Sequence, residues 1–317
     1  MNRLVLVGSV LVDVTVRVSR LPRTSEDVVA QDHRIAPGGG FNVLAQARRM
    51  ALSAAYAGRV GTGPLATLVA AALKDVDIPR LLPVATDRDT GFVVAMVDEE
   101  GQPTYVTAPG AESGLCLLDL RRIAVLPGDM VYVSGYDLLH PEMGADIAAW
   151  LGEISPPAGV IVVCDPGPLV RDIPRDRWDA VSRHPCLLTL NAAEMRQMTA
   201  RASVQDGVRQ LAGEFETVVV RDGASGAWCA RASQIPRPIA PRPARVVDAT
   251  GAGDIHTATL LALLSRTVGL ERAVRGANIA ASMAVERWGS SSGPTREELL
   301  AEWSRLGEVL PPEVGGD

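Results

Sequence analysis

Two hydrophobic patterns alternate along this chain. Short runs that are apolar almost throughout occur at 4–8, 54–59, 130–134, 160–165, 187–190 and 217–221. A strand apolar at nearly every position is one buried on both faces, as in a parallel sheet covered by helices. Between the runs lie segments whose apolar residues recur three and four apart, at 42–51, 64–76, 141–152, 177–183, 192–199 and 204–214, and these predict helices. Three further helices are predicted at 252–266, 270–287 and 295–306. Strand and helix in turn predict a doubly wound α/β fold with a mainly parallel sheet and right-handed crossovers, expected here as one domain over 1–317.

The alternation breaks twice. Segments 14–18 and 28–35 are strand-like with no helix between them, and 90–97 and 103–107 flank Asp98-Glu99-Glu100-Gly101-Gln102, which reads as a hairpin turn. Two insertions, approximately 14–36 and 89–110, are thus expected to build a small antiparallel sheet. Lying over the strand ends, it would serve as a lid; alone, it could equally be an edge hairpin. Segment 236–243, rich in Pro and Arg, reads as a surface connection.

The net charge of −6 and pI near 5.4 argue against a nucleic-acid partner. Lys74 is the sole lysine among 31 basic residues, so no G-x-x-x-x-G-K-[ST] loop can exist. Any nucleotide phosphates must be held by backbone amides, arginine and a metal. Cys116, Cys164, Cys186 and Cys229 are too scattered for a disulfide framework, and a reducing, cytoplasmic setting is expected. No apolar run reaches membrane-spanning length, so no membrane partner is expected. His33, His140, His184 and His256 lack zinc spacing. Gly8 opens no G-x-G-x-x-G, which removes the dinucleotide-binding alternative.

Candidate chemistry concentrates in a few segments. In Val246-Val247-Asp248-Ala249-Thr250-Gly251-Ala252-Gly253-Asp254, a strand-like pair enters a small-residue turn that opens a helix. Bare N–H groups of Gly251, Ala252 and Gly253 at a helix start make an anion site. Asp254 there reads either as a base taking a proton from a hydroxyl or as a cap of its own helix. Pro37-Gly38-Gly39-Gly40-Phe41-Asn42 is a glycine turn feeding a helix, and glycine permits close backbone approach to a ligand. Asp13 stands just after the first strand, at the sheet edge where open α/β sheets bind ligands, and a carboxylate can accept from two vicinal hydroxyls.

These segments resemble the ribokinase-like, PfkB-type carbohydrate kinases over nearly the whole chain, from Gly8 to about Ser290. Asp-Ala-Thr-Gly-Ala-Gly-Asp is similar to that family's D-T-x-G-A-G-D, with Ala249 for the usual Thr and His256 for the usual aromatic. The resemblance implies Asp254 as catalytic base and Gly251, Ala252 and Gly253 as the anion hole. It implies substrate binding by Asp13, Gly38, Gly39, Gly40 and Asn42. Asn191-Ala192-Ala193-Glu194 resembles the family's N-x-x-E, whose Asn and Glu organise the hydration shell of Mg²⁺, although the same pattern is a helix capping box. Arg221-Asp222-Gly223-Ala224-Ser225-Gly226 resembles its T-x-G-x-x-G nucleotide loop with Arg for Thr, and Asn278 and Ser282 fall on its adenine-side helix. ATP binding is thereby implied for Asn191, Glu194, Arg221, Gly223, Gly226, Asn278 and Ser282. Asp248 and Thr250 match a monovalent-cation site, which would be for K⁺. In many members the lid sheet also clasps a second copy, so a homodimer is expected.

The resemblance therefore implies ATP-dependent phosphorylation of a hydroxyl of a sugar or sugar-like molecule. Leu11 replaces an Asn that ribokinase proper carries, and no Lys follows the glycines. Leu11, Phe41 and His256 would suit an acceptor with an apolar or aromatic face, which keeps a nucleoside kinase as the alternative. A catalytically silent ligand-binding regulator is the rival reading, and retention of Asp254 argues against it.

Overall fold

The computed structural model describes residues 2–100, 103–154 and 159–308. The turn expected at 98–102 lies partly outside these residues, as does the chain end. Twelve strands and eleven α-helices are present among them.

The main sheet has eight strands: β1 (Arg3–Val7), β4 (Ser53–Ala57), β7 (Met130–Ser134), β8 (Ile161–Asp165), β9 (Cys186–Asn191), β10 (Thr217–Arg221), β11 (Ala227–Arg231) and β12 (Arg237–Ile239). Their spatial order is β12-β11-β10-β9-β8-β7-β1-β4. The pairs from β4 to β10 are parallel, while β11 and β12 add on antiparallel. The all-apolar runs are explained directly: alternate residues enter two different cores. Leu4 and Leu6 of β1 join one cluster, and Val5 and Val7 join the other. The same split separates Val219 from Val218 and Val220 on β10.

The first core is closed by α1 (Gly40–Arg49), α2 (Pro64–Asp75), α9 (Ala252–Leu264), α10 (Leu270–Val285) and α11 (Arg296–Arg305). The second is closed mainly by α5 (Pro141–Glu153), α6 (Arg175–Ser182), α7 (Ala192–Thr199) and α8 (Val204–Leu211). Short helices α3 (Leu117–Leu120) and α4 (Gly135–Leu139) precede α5. None of the helices is long and apolar enough to cross a membrane among the described residues.

A second sheet has four strands in the order β3-β2-β5-β6: β2 (Val10–Arg17), β3 (Asp32–Gly39), β5 (Phe92–Val97) and β6 (Pro103–Ala108). It draws on both expected insertions, with different boundaries. It is also mixed, because β2 pairs parallel with β5 and antiparallel with β3.

Four local expectations are corrected. Asp13 is not in a loop after β1: Gly8, at φ +140°, ends that strand, and the chain re-enters β2 with Asp13 in its middle. Gly38 and Gly39 lie on β3 rather than in a turn, and Gly40 opens α1. Segment 236–243 contains the edge strand β12, whose Pro238 is tolerated because only one side of an edge strand must pair. Val246 and Val247 form no strand; they are exposed, and the N–H groups of Val247 and Asp248 both donate to the Val285 carbonyl.

Candidate active site

Helix α9 organises the site. Gly251 is its N-cap at φ +75°, and a Cβ there would collide with the Ser290 carbonyl, so only glycine fits. No side chain caps this helix. The Ala252 N–H turns back to the Ala249 carbonyl at 3.2 Å. The N–H groups of Gly251, Gly253 and Asp254 have no protein partner among the described residues. The helix start is therefore an open cluster of donors at the positive end of a 13-residue dipole.

Asp254 sits in the first turn but does not cap it. Its Oδ2 accepts instead from Asn42 Nδ2 at 3.1 Å. Asn42, buried on α1, also accepts from Ser291 Oγ through Oδ1 at 2.7 Å, so its amide orientation is locked from both ends. Burial pushes the Asp254 carboxyl up from 3.8 to about 7, helped by the nearby Asp165 charge and opposed by Asn42 and Arg221. Such a carboxylate is poised to exchange a proton near neutral pH.

Asp13 reaches the same region from the second sheet. Burial raises its carboxyl to about 6, with Arg34 opposing, and its charge in turn raises Asp254. Its carboxylate occupies the space a Gly38 side chain would fill. That close approach explains one glycine. Another, Gly40, packs its Cα against the Leu6 methyls, and Gly39 adopts φ +58°.

On the other side of α9 lies an ionic cluster that the sequence reading only partly located. Arg221, at the end of β10, bonds Asp165 at 3.0 and 3.3 Å, Thr189 Oγ1 at 2.8 Å and Thr257 Oγ1 at 3.0 Å. Glu194 is 4.0 Å away. Arg221 is turned inward, beneath Gly253, where an added Cβ would stand 3.5 Å from its Cζ. Its positive charge thus backs the open N–H cluster. Burial, then Asp165, raises the Glu194 carboxyl above its ordinary value. Asn191 and Glu194 do form the capping box of α7: Glu194 N–H donates to Asn191 Oδ1 at 2.9 Å, and Glu194 accepts from Asn191 N at 2.8 Å and Nδ2 at 2.6 Å.

Gly223 and Gly226 shape the β10–β11 hairpin, at φ +53° and +93°. Asn278 is buried on α10, donates to the carbonyls of Ile239 and Ala240 at 3.2 and 2.9 Å, and meets His256 Nε2 at 3.1 Å. Its amide ties the chain after β12 to the helix. Ser282, half-buried, lies one turn further along α10. Asp248 accepts from Thr250 N at 2.9 Å and Gly289 N at 3.0 Å, fastening the loop before α9 to the loop after α10.

Two residues expected to present an apolar face to the acceptor do not. Phe41 belongs to the first core, and His256 is buried between α9 and α10 with its ring lowered to about 3 by burial, hence neutral. Leu11 does lie on the second sheet, two residues from Asp13. Asp165 was not singled out from the sequence, although a carboxylate at the carboxyl end of a predicted parallel strand marks the ligand edge; Ser291, in a Gly/Ser loop, carried no signal.

The fold, a mainly parallel eight-stranded sheet with a small separate sheet, is shared with solved kinase structures. The structure matches Arabidopsis thaliana ribokinase complexed with ribose and ATP, with TM-score 0.74 at 24% identity over 94% of this chain and 97% of that one. It matches the Burkholderia thailandensis nucleoside kinase in complex with inosine, with TM-score 0.77 at 18% identity over 96% and 97%. In sequence, the chain is 29% identical over 301 residues to the Escherichia coli protein named "Uncharacterized sugar kinase YegV", covering 93% of this chain and 92% of that one. It is 28% identical to Mus musculus ribokinase, covering 93% of each. The model of the pfkB family carbohydrate kinases matches residues 1–297. The chain belongs to that family and is an ATP-dependent carbohydrate kinase.

Proposed function

We propose that this kinase transfers the γ-phosphoryl group of ATP to a hydroxyl of a sugar or sugar-like acceptor, with Asp254 as general base. The observation that carries the reading is the placement of Asp254: it lies at an uncapped helix start, is held by Asn42 and is pushed to about 7. Asp13 and Asn42, with the backbone of Gly38, Gly39 and Gly40, take the acceptor hydroxyls. Asp254 removes the proton of the reacting hydroxyl as it attacks. The N–H groups of Gly251, Ala252 and Gly253, backed by Arg221, stabilise charge developing on the transferred group. For Ala252 this requires its N–H to leave the Ala249 carbonyl or share it.

The nucleotide lies toward β10 and α10, near Asn191, Glu194, Arg221, Gly223, Gly226, Asn278 and Ser282. Asn278 contributes by fixing the Ile239–Ala240 backbone. The oxygen donors of Asp165 and Glu194 suit a hydrated Mg²⁺, with Glu194 acting through water, because Mg²⁺ dehydrates reluctantly. When bound, the ion would neutralise phosphate charge. Asp248, Thr250 and the Ser290 carbonyl offer oxygens for a monovalent cation such as K⁺ beside the anion hole. The second sheet acts as a lid that excludes water, in a cytoplasmic homodimer built through that sheet. A coupled ADP-release assay over pentoses, hexoses, their phosphates and nucleosides tests the reading. Acceptor-dependent ADP formation supports it, and none across the panel contradicts it.

A further inference from the structure

The acceptor side of the site carries two aromatic walls that the catalytic groups do not use. Residues paired across neighbouring strands point to one face of a sheet, as do positions two apart along a strand. Asp13 pairs with Val93 and Val93 with Thr107; Thr15 pairs with Ala95 and Ala95 with Tyr105. Asp13 and Tyr105 therefore share a face of the second sheet, together with Arg34, the partner of Thr15. Val14, Ile35, Val94 and Val106 lie on the opposite face. Tyr105 is thus turned to the site side, and it is 61% exposed.

Tyr136 approaches from the main sheet. It lies on α4, just past the carboxyl end of β7, and is 60% exposed. A Cβ on Gly167 would stand 3.4 Å from its ring. After burial, the charges that act on its phenol are those of Tyr105, Glu194, Asp165 and Asp254; on Tyr105, that of Asp13. Neither ring belongs to a hydrophobic core. Two solvent-facing tyrosines therefore stand beside the site, Tyr105 on the Asp13 face of the second sheet and Tyr136 at the carboxyl end of β7.

Resting on the kinase reading above, we infer that the acceptor is a nucleoside, a sugar bearing a planar unsaturated ring that Tyr105 and Tyr136 hold while Asp13 and Asn42 take the sugar hydroxyls. A free pentose is small enough to lay its C–H face on one ring only, whereas a nucleoside carries a planar base for the other as well. Burying both rings costs little entropy, since each tyrosine has few rotatable bonds.

The test is a coupled ADP-release assay with purine and pyrimidine nucleosides against free ribose and fructose. The best nucleoside should exceed the best free sugar in kcat/KM. Tyr105→Ala and Tyr136→Ala should each raise the nucleoside KM about 5- to 100-fold, the usual range for losing a base–aromatic stack, with little change in kcat. Tyr105→Phe and Tyr136→Phe should keep the parent KM, because the ring and not the hydroxyl is required. A free sugar used as well as or better than every nucleoside overturns the inference and leaves the kinase reading standing. So do alanine variants with unchanged nucleoside KM. No acceptor-dependent ADP with any of these nucleosides or free sugars also overturns the inference, and the kinase reading falls with it only if the sugar phosphates of the wider panel give none either.

Discussion

Arg221→Met should expose how much this site depends on one buried cation. The parent side chain is only 15% exposed and pairs with Asp165, itself 12% exposed, while Glu194 lies 4.0 Å away. Methionine keeps the stem and removes the charge, leaving Asp165 and Glu194 facing each other without compensation. Breaking a buried pair from one side costs about 3–5 kcal/mol. For a chain of this size that corresponds to a fall in Tm of roughly 5–8 °C. The loss should depend on pH. Glu194 already lies above its ordinary value through burial, and removing Arg221 raises it further. A carboxyl raised in the fold destabilises where it must be ionised, so the penalty is largest at pH 8 and shrinks toward pH 5 as the cluster takes up a proton. Thermal unfolding of parent and variant by circular dichroism at both pH values reads this. Asp165→Asn in the Arg221→Met background should restore part of the lost stability at pH 8. A penalty equal at both pH values, with no recovery in the double variant, would refute the reasoning, because it would mean that packing rather than uncompensated charge had been lost.

Three further outcomes follow from the geometry. Because both carboxyls are raised, to about 7 at Asp254 and about 6 at Asp13, kcat/KM for the acceptor should climb with pH through 7, with a slope approaching two below pH 6; a flat profile from pH 5.5 to 8 would contradict both assignments. Gly38→Ala places a methyl where the Asp13 carboxylate lies, so kcat/KM should fall about 10- to 100-fold, as for a misplaced substrate-binding group, while ATP binding measured by calorimetry stays near the parent value. Adding acceptor should slow amide exchange together in β2, β3, β5 and β6, read by mass spectrometry, and unchanged or uncorrelated protection would argue against a closing lid.

How far the sequence led can be seen in particular residues. Both-face burial made β1, β7, β8, β9 and β10 readable, because their alternate side chains enter two cores and leave no polar gaps. β11 and β12 escaped: β11 carries two alanines and a cysteine in place of the β-branched residues that mark a strand, and β12 is short, with Pro238 at the sheet edge. Asp13 was found by its place after the first strand but set on the wrong element, since a kink at Gly8 is invisible to hydrophobic period. Asp254 and Asn42 were found by motif, yet their hydrogen bond spans 212 positions and only the fold brings them together. Phe41 and His256 misled because an aromatic beside a motif can as readily face the core, and here both do. Arg221 was located as a residue, but its inward turn to Asp165 depends on β8, β9 and β10 lying side by side.

The central claim rests on Asp254, and Asp254→Asn tests it through two readouts with opposite signs. Asparagine keeps an oxygen to accept from Asn42 but cannot take a proton. Turnover in the ADP-release assay should fall by about 10²–10⁴ with ATP binding nearly unchanged. Stability should rise at pH 8, because a carboxyl held at about 7 instead of 3.8 resists ionisation by up to about 4 kcal/mol, and the gain should vanish below pH 4, where both folded and unfolded states hold the proton. An inactive, more stable protein at pH 8 is the predicted result; turnover within a few-fold of the parent would contradict the account.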